Sequence, residues 1–185
     1  MYANFLNKLI GISLAACVSI SASTLLILDS SGSMAGNESY MKNTVSKNIN
    51  DDTDIVGFGS TWYNIKKPDD YHINGTTALG DVLEVLNNGN NTKFDYIIIA
   101  SDGVPDNEAQ VRTQAKLLKD SGSKICSTYI APKNSQIPEI LKDISSAVFL
   151  TDVTDPISKC QGAVKEKILG HTAVVKHIDI NQFAF

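Results

Sequence analysis

Histidine is scarce in this chain, and positive charge is nowhere concentrated. The 3 histidines are His72, in a predicted loop, and His171 and His177, in the tail. A transition-metal centre needs three or four convergent ligands, which this set does not supply. The longest basic run is Lys66-Lys67, a solvated turn before Pro68. A net charge of -4 and a pI near 5.3 argue against a broad nucleic-acid surface. No glycine-rich loop followed by lysine occurs, so a phosphate- or nucleotide-handling enzyme is disfavoured. Internal repeats and low-complexity segments are absent as well.

Cysteine is sparse, at 3 residues: Cys17, Cys126 and Cys160. Cys126 lies on a predicted strand and Cys160 near the following layer. In a reducing compartment they would be buried thiols. In an oxidising one they could pair, and spacing alone decides neither. The rest of the inventory is ordinary: 185 residues, 43% hydrophobic, enough for one domain with a sizeable core.

The first 22 residues read as a targeting segment. Residues 1–8 carry one lysine and no acid, and residues 9–20 form a short apolar core. Counting on to Leu28 gives a stretch long enough to span a bilayer, but residues 24–28 are needed as a strand. Leu14-Ala15-Ala16-Cys17 resembles the lipobox of bacterial lipoproteins, in which the signal is cut before a lipidated cysteine. An ordinary signal cut near Ala22 is the alternative. The expectation is export, to the periplasm or to a membrane-anchored lipoprotein, with a cytoplasmic protein as the alternative.

Periodicity predicts strands at 24–28, 55–60, 62–65 (an edge), 96–100, 124–130 and 147–151. Helices are predicted at 38–49, 77–86, 107–120, 138–144 and 157–169. Strands alternating with helices imply an α/β fold: a doubly wound, mostly parallel open sheet with helices on both faces. The domain is expected over 23–169. Residues 170–185 form a tail that docks as an extra strand or stays loose. Trp62, Tyr63, Tyr71 and His72 are either a partner-contacting rim or edge-strand and core packing.

Three segments carry chemistry. Asp29-Ser30-Ser31-Gly32-Ser33 follows the apolar run 24–28 and sets one carboxylate and two hydroxyls on a single turn. Hard cations such as Mg2+ take oxygen ligands in an octahedron. Asn74-Gly75-Thr76-Thr77-Ala78-Leu79-Gly80 places threonines ahead of an amphipathic helix. Tyr96-Ile97-Ile98-Ile99-Ala100-Ser101-Asp102-Gly103 is a buried strand ending in an aspartate. In open α/β sheets, sites form at such carboxyl ends.

In this order the three segments resemble the von Willebrand factor A (vWA) domain and its metal-ion-dependent adhesion site, over about residues 24–155. The style is closest to the compact bacterial type. The resemblance implies Ser31 and Ser33 as direct hydroxyl ligands, Asp29 as orienting or water-mediated, Thr77 as the loop hydroxyl, and Asp102 as the aspartate of the fourth strand. Gly32 is expected to let the turn close. The implied cofactor is Mg2+, with Mn2+ or Ca2+ as candidates. The implied partner is a protein presenting Asp or Glu, bound without catalysis. An intracellular vWA scaffold of a tellurium-resistance-type or metal-chelatase-linked complex is the competing reading, and a Mg-dependent phosphate-handling enzyme a further one.

Overall fold

The computed structural model describes residues 22–89, 94–132, 135–150 and 155–168. The expected signal segment with Cys17, and the tail with His171 and His177, lie outside them. No helix among the described residues is long and apolar enough to cross a membrane.

Six strands form one sheet: β1 (Thr24–Asp29), β2 (Thr53–Phe58), β3 (Trp62–Asn64), β4 (Tyr96–Ser101), β5 (Lys124–Tyr129) and β6 (Ala147–Leu150). Their order is β3-β2-β1-β4-β5-β6. Only β3 is antiparallel, on the edge beside β2. Thr24–Asp29 is buried along its whole length. A central strand covered on both faces reads as an unbroken apolar run, as Leu25-Leu26-Ile27-Leu28 does.

Alternation along β1 sorts the core into two halves. Leu25 and Ile27 face a cluster with α2 (Leu79–Asn88), α3 (Glu108–Asp120) and α4 (Glu139–Ile144). Leu26 and Leu28 face a cluster with α1 (Glu38–Asn48) and α5 (Pro156–Ile168). A disulfide between Cys126 and Cys160, with Cα atoms 5.9 Å apart, ties β5 to α5.

Two elements, β2 and α2, depart from the sequence expectation by two residues at each end, and the others agree to within one. β2 starts at Thr53, because Thr53 and Asp54 pair with Thr24 and Leu25 ahead of the apolar run. It stops at Phe58, where the Gly59 N–H turns to the Thr61 carbonyl at 3.1 Å. Helix α2 starts at Leu79 rather than Thr77, because the chain before it is held as a loop by tertiary hydrogen bonds. From β1 the chain winds first to β2 on one side and later to β4 on the other. The carboxyl ends of β1 and β4 therefore flank the point where the winding reverses, where crevices open in such sheets.

Candidate metal centre

Asp29 ends β1 and is fully buried. Its Oδ1 accepts the Ser31 N–H at 2.8 Å, and its Oδ2 accepts the Ser101 hydroxyl at 2.5 Å. Both oxygens are thus engaged inward, and the carboxylate orients the turn from behind. The Asp29 carbonyl accepts the Tyr71 hydroxyl at 2.6 Å. Ser30 fastens the turn to β2, its hydroxyl donating to the Phe58 carbonyl at 2.8 Å. Gly32–Met34 then makes one 3-10 turn whose Met34 is buried in the second core cluster. An apolar plug on one side and a buried carboxylate on the other leave the turn little freedom.

This anchoring presents an arc of oxygens. Ser31 Oγ lies 2.9 Å from Ser33 Oγ, and the Ser33 hydroxyl donates to Asp102 Oδ1 at 2.8 Å. Ser31 is buried, whereas Ser33 is exposed and Asp102 half-buried. The arc therefore opens toward solvent at one end.

The threonine loop packs against the serine turn without joining the arc. The Gly32 N–H donates to the Gly75 carbonyl at 2.8 Å. Gly75 has φ of 74°, and a Cβ there would collide with Ser60 Oγ. Gly75 and Gly59, whose Cβ would run into the Asn74 carbonyl, are the glycines this geometry requires, whereas a Cβ on Gly32 would meet only the Gly75 carbonyl, at 3.6 Å. Thr77 is held at both ends of its peptide. Its N–H donates to Asp106 Oδ2 at 3.2 Å, and its carbonyl accepts the Asp106 N–H at 3.1 Å. Among the described contacts, the Thr77 hydroxyl makes no bond to Ser31, Ser33 or Asp102. Thr76 is exposed and its N–H donates to Ser60 Oγ at 3.1 Å, while Thr77 is half-buried.

No family model matches the sequence, and neither does any curated protein. Solved structures do. Proximal thread matrix protein 1 from the mussel byssus aligns with a TM-score of 0.58 at 22% identity, over 78% of this chain and 45% of that one. The same protein with a zinc-occupied MIDAS motif gives 0.55 at 22% identity, over 80% and 46%. The manganese-loaded TRAP protein of Plasmodium vivax gives 0.58 at 17% identity, over 78% and 74%. This is a von Willebrand factor A fold. At these identities the likeness is one of fold alone, and the chain spans less than half the length of the mussel structures.

Within the vWA fold, the donor set can be tested against a cation directly. Ligands at roughly 2.1 Å in an octahedron have adjacent oxygens about 3.0 Å apart. The arc's separations of 2.9 and 2.8 Å are hydrogen-bond lengths between its members, and they are compatible with that edge without a rearrangement of the turn. The donors are hard oxygens, two neutral and one carboxylate, so the residues fit a Mg2+-like ion. Among the described residues, no group of three or more His, Cys, Asp or Glu is placed to hold a metal. A cation centre here has to be built on hydroxyls.

Burial pushes the Asp29 carboxyl above the usual carboxylate range. Hydrogen bonds from Ser101 and Ser31 pull against this, and the charge of Asp102 adds to the rise. A carboxyl raised in the fold binds more protons there than in the unfolded chain. Its contribution to stability therefore falls as pH rises from the ordinary carboxylate range through the raised value. At neutral pH without a cation, the ionised Asp29 carboxylate therefore favours the fold less than its protonated form would. Asp29→Asn is accordingly expected to leave the Tm of the cation-free protein unchanged or raise it, by up to about 4 °C for roughly 1 kcal/mol in a domain of this size. The same change should abolish any Tm gain on adding Mg2+. Differential scanning calorimetry at pH 7 with chelator and with Mg2+ reads both. A large fall in the chelator Tm would show that the charge stabilises the fold.

Two residues that shape the site, Ser101 and Asp106, escaped the sequence reading. Ser101 was legible only through strand register: Leu28 pairs with Ala100, so the next residues, Asp29 and Ser101, come level. Asp106 carries no local signal. Of the aromatics, Tyr71 is core, and burial raises its phenol well above the ordinary range, so it stays a donor to Asp29. Tyr63 stacks on His72 with centroids 4.3 Å apart, and Trp62 is exposed on the edge strand.

Proposed function

We propose that this vWA domain is a non-catalytic protein-binding module that engages an acidic residue of its partner through a bound divalent cation. The observation that carries the reading is the oxygen arc of Ser31, Ser33 and Asp102, with spacings compatible with an octahedral edge and an open side. Ser31 and Ser33 act as direct ligands, Asp102 adds the only carboxylate on the arc, and Asp29 orients the serines from its buried position. Thr77, aligned by Asp106, supplies the loop hydroxyl. A cation held largely by neutral hydroxyls keeps charge to share, and an incoming Asp or Glu is the hard oxygen donor that supplies it.

Mg2+ is the proposed ion, with Mn2+ or Ca2+ as substitutes. The zinc-occupied mussel protein and the manganese-loaded TRAP protein support a divalent ion without selecting one. Of the two carboxylates, Asp29 is buried behind the serines with both oxygens engaged and Asp102 is bonded to Ser33, an arrangement that supports binding over proton transfer. Export is part of the proposal. The Cys126–Cys160 disulfide supports it, because such bonds persist in oxidising compartments. It also weighs against the cytosolic scaffold. Attachment to the membrane at Cys17 or release after Ala22 are the two forms export would take.

Pull-down from solubilised membranes should retain a partner in Mg2+ and lose it in chelator, and neutralising one partner Asp or Glu should mimic the chelator. Retention that persists in chelator would place the contact elsewhere. Mg2+-dependent hydrolysis of a phosphate ester that disappears in Asp29→Asn would overturn the non-enzyme reading.

A further inference from the structure

We propose that the free edge of β3 takes a segment of the partner as an added strand, about five residues along the chain from the carboxylate that meets the cation. This rests on the cation-mediated reading above and adds the partner's second contact to it. The edge follows from the hydrogen bonds of the β2–β3 hairpin. The Gly59 N–H donates to the Thr61 carbonyl at 3.1 Å, and the Ile65 N–H to the Ile55 carbonyl at 2.9 Å. Between them, Tyr63 lies opposite Gly57. Antiparallel pairing alternates, so Thr61, Tyr63 and Ile65 direct their peptide groups to β2, and those of Trp62 and Asn64 point away from it. Lys66 is the next outward residue, and its N–H is already taken by Asp70 Oδ2 at 2.8 Å. Among the described residues, no strand or side chain bonds the outward groups of Trp62 and Asn64.

Register sets this edge beside the metal centre. Asp29 pairs level with Phe58, and Phe58 with Trp62. Strands step about 4.8 Å, so Trp62 lies roughly 10 Å from Asp29 across the sheet, and an added strand roughly 15 Å. At about 3.3 Å per residue, about five residues of extended chain cover that span. The surface they cross is exposed at Thr76, Ser60 and Thr61. It is also fastened together. The Ser60 N–H donates to the Asn74 carbonyl at 2.7 Å, the Thr76 N–H to Ser60 Oγ at 3.1 Å, and Asn74 Nδ2 to Thr61 Oγ1 at 3.0 Å. The hairpin and the threonine loop hold one another, so the edge keeps a set position relative to the arc.

The edge selects its occupant. Two donors and two acceptors at a two-residue repeat match an extended peptide backbone. Four groups are too few to hold a separate chain alone. The occupant is therefore a segment already tethered through the cation, not a second copy of this domain. Trp62 stands opposite Phe58, shares its face of the sheet and is 44% exposed. It offers an aromatic flank to a β-branched or aromatic side chain of the added strand. Antiparallel pairing is the more stable kind. Since β3 runs away from the carboxyl end of the sheet, an antiparallel segment runs toward it and precedes the acidic residue in the partner.

The test uses the capped peptide Thr-Val-Thr-Val-Gly-Ser-Gly-Ser-Glu-Gly and the short control Gly-Ser-Glu-Gly. Two further versions of the long peptide are N-methylated at both valines or at both threonines. Each is titrated into the isotope-labelled domain and followed by NMR, in Mg2+ and in chelator. In Mg2+ the long peptide should bind roughly tenfold more tightly than the control. Only one set of amides faces β3, so methylation of that set alone should remove the gain. The Trp62 and Asn64 amides should gain hydrogen-exchange protection, while those of Tyr63 and Ile65, directed to β2, should not. Asn64→Pro removes an outward N–H and leaves the β2 ladder whole, so it should abolish the gain with Mg2+ affinity unchanged. If that variant does not fold, the methylated peptides carry the test on the native chain. Equal binding of long and short peptides, or of the two methylated forms, would overturn the edge contact and leave the cation reading intact. Protection of Trp62 and Asn64 that grows with protein concentration without peptide would also overturn it, by marking the edge as a contact between copies. Binding of Mg2+ with no cation-dependent binding of either unmethylated peptide would sink the cation reading, and the edge contact with it.

Discussion

Alanine at both Ser31 and Ser33 is expected to remove divalent-cation binding while the fold survives. The two hydroxyls are two of the three oxygens on the arc, and their spacing is compatible with an octahedral edge. Loss of a group that merely orients a ligand already weakens metal sites by about 10–100-fold. Loss of two direct oxygens should therefore exceed about a hundredfold, or roughly 2.7 kcal/mol. The cost to the metal-free fold is small. Ser33 is exposed, Asp102 is half-buried and can exchange its lost donor for water, and Met34 still plugs the turn. A change in stability within about 1 kcal/mol is expected. Titration calorimetry with Mg2+ and Mn2+, beside thermal denaturation in chelator, separates the two effects. Unchanged affinity in the double variant would remove the arc from the site.

The second large effect concerns the disulfide. Cys126 and Cys160 are 34 residues apart in sequence. The chain-entropy relation assigns a loop of that size about 4 kcal/mol. Replacing both cysteines by alanine should then lower the Tm by roughly 10 °C, at about 2–4 °C per kcal/mol. Reductant should do the same to the parent protein and nothing to the variant. The bond joins a central-layer strand to the last described helix, so α5 should lose hydrogen-exchange protection first. An unchanged Tm in reductant, with two free thiols titrating in the native protein, would show that the bond does not form.

How far the sequence reached follows from which forces are local. Leu25-Leu26-Ile27-Leu28 and Ile97-Ile98-Ile99 announce buried strands because a strand covered on both faces needs no polar alternation. Asp29 and Asp102, each set just past such a run, could be placed at strand ends without knowing any contact. The edge strand at Trp62 was readable from its alternation and brevity. What stayed hidden depends on register and on loop docking. Ser101 meets Asp29 only because β1 and β4 pair level with one another. Asp106 reaches Thr77 across a separation of 29 residues. The early start expected for α2 failed for the same reason: apolar spacing favoured a helix from Thr77, but hydrogen bonds to Asp106 and Gly59 hold that stretch as loop. Cysteine pairing needed a distance, and the structure supplies one of 5.9 Å between Cα atoms.

The most direct test of the proposed centre is an anomalous difference map from crystals soaked in Mn2+. A single strong peak is expected about 2.2 Å from Ser31 Oγ and Ser33 Oγ, within direct or water-bridged reach of Asp102. Thr77 Oγ1, not Thr76, should face it, and Asp29 should remain behind the serines without direct contact. A peak elsewhere on the domain, or none at the serine turn under saturating Mn2+, would contradict the assignment.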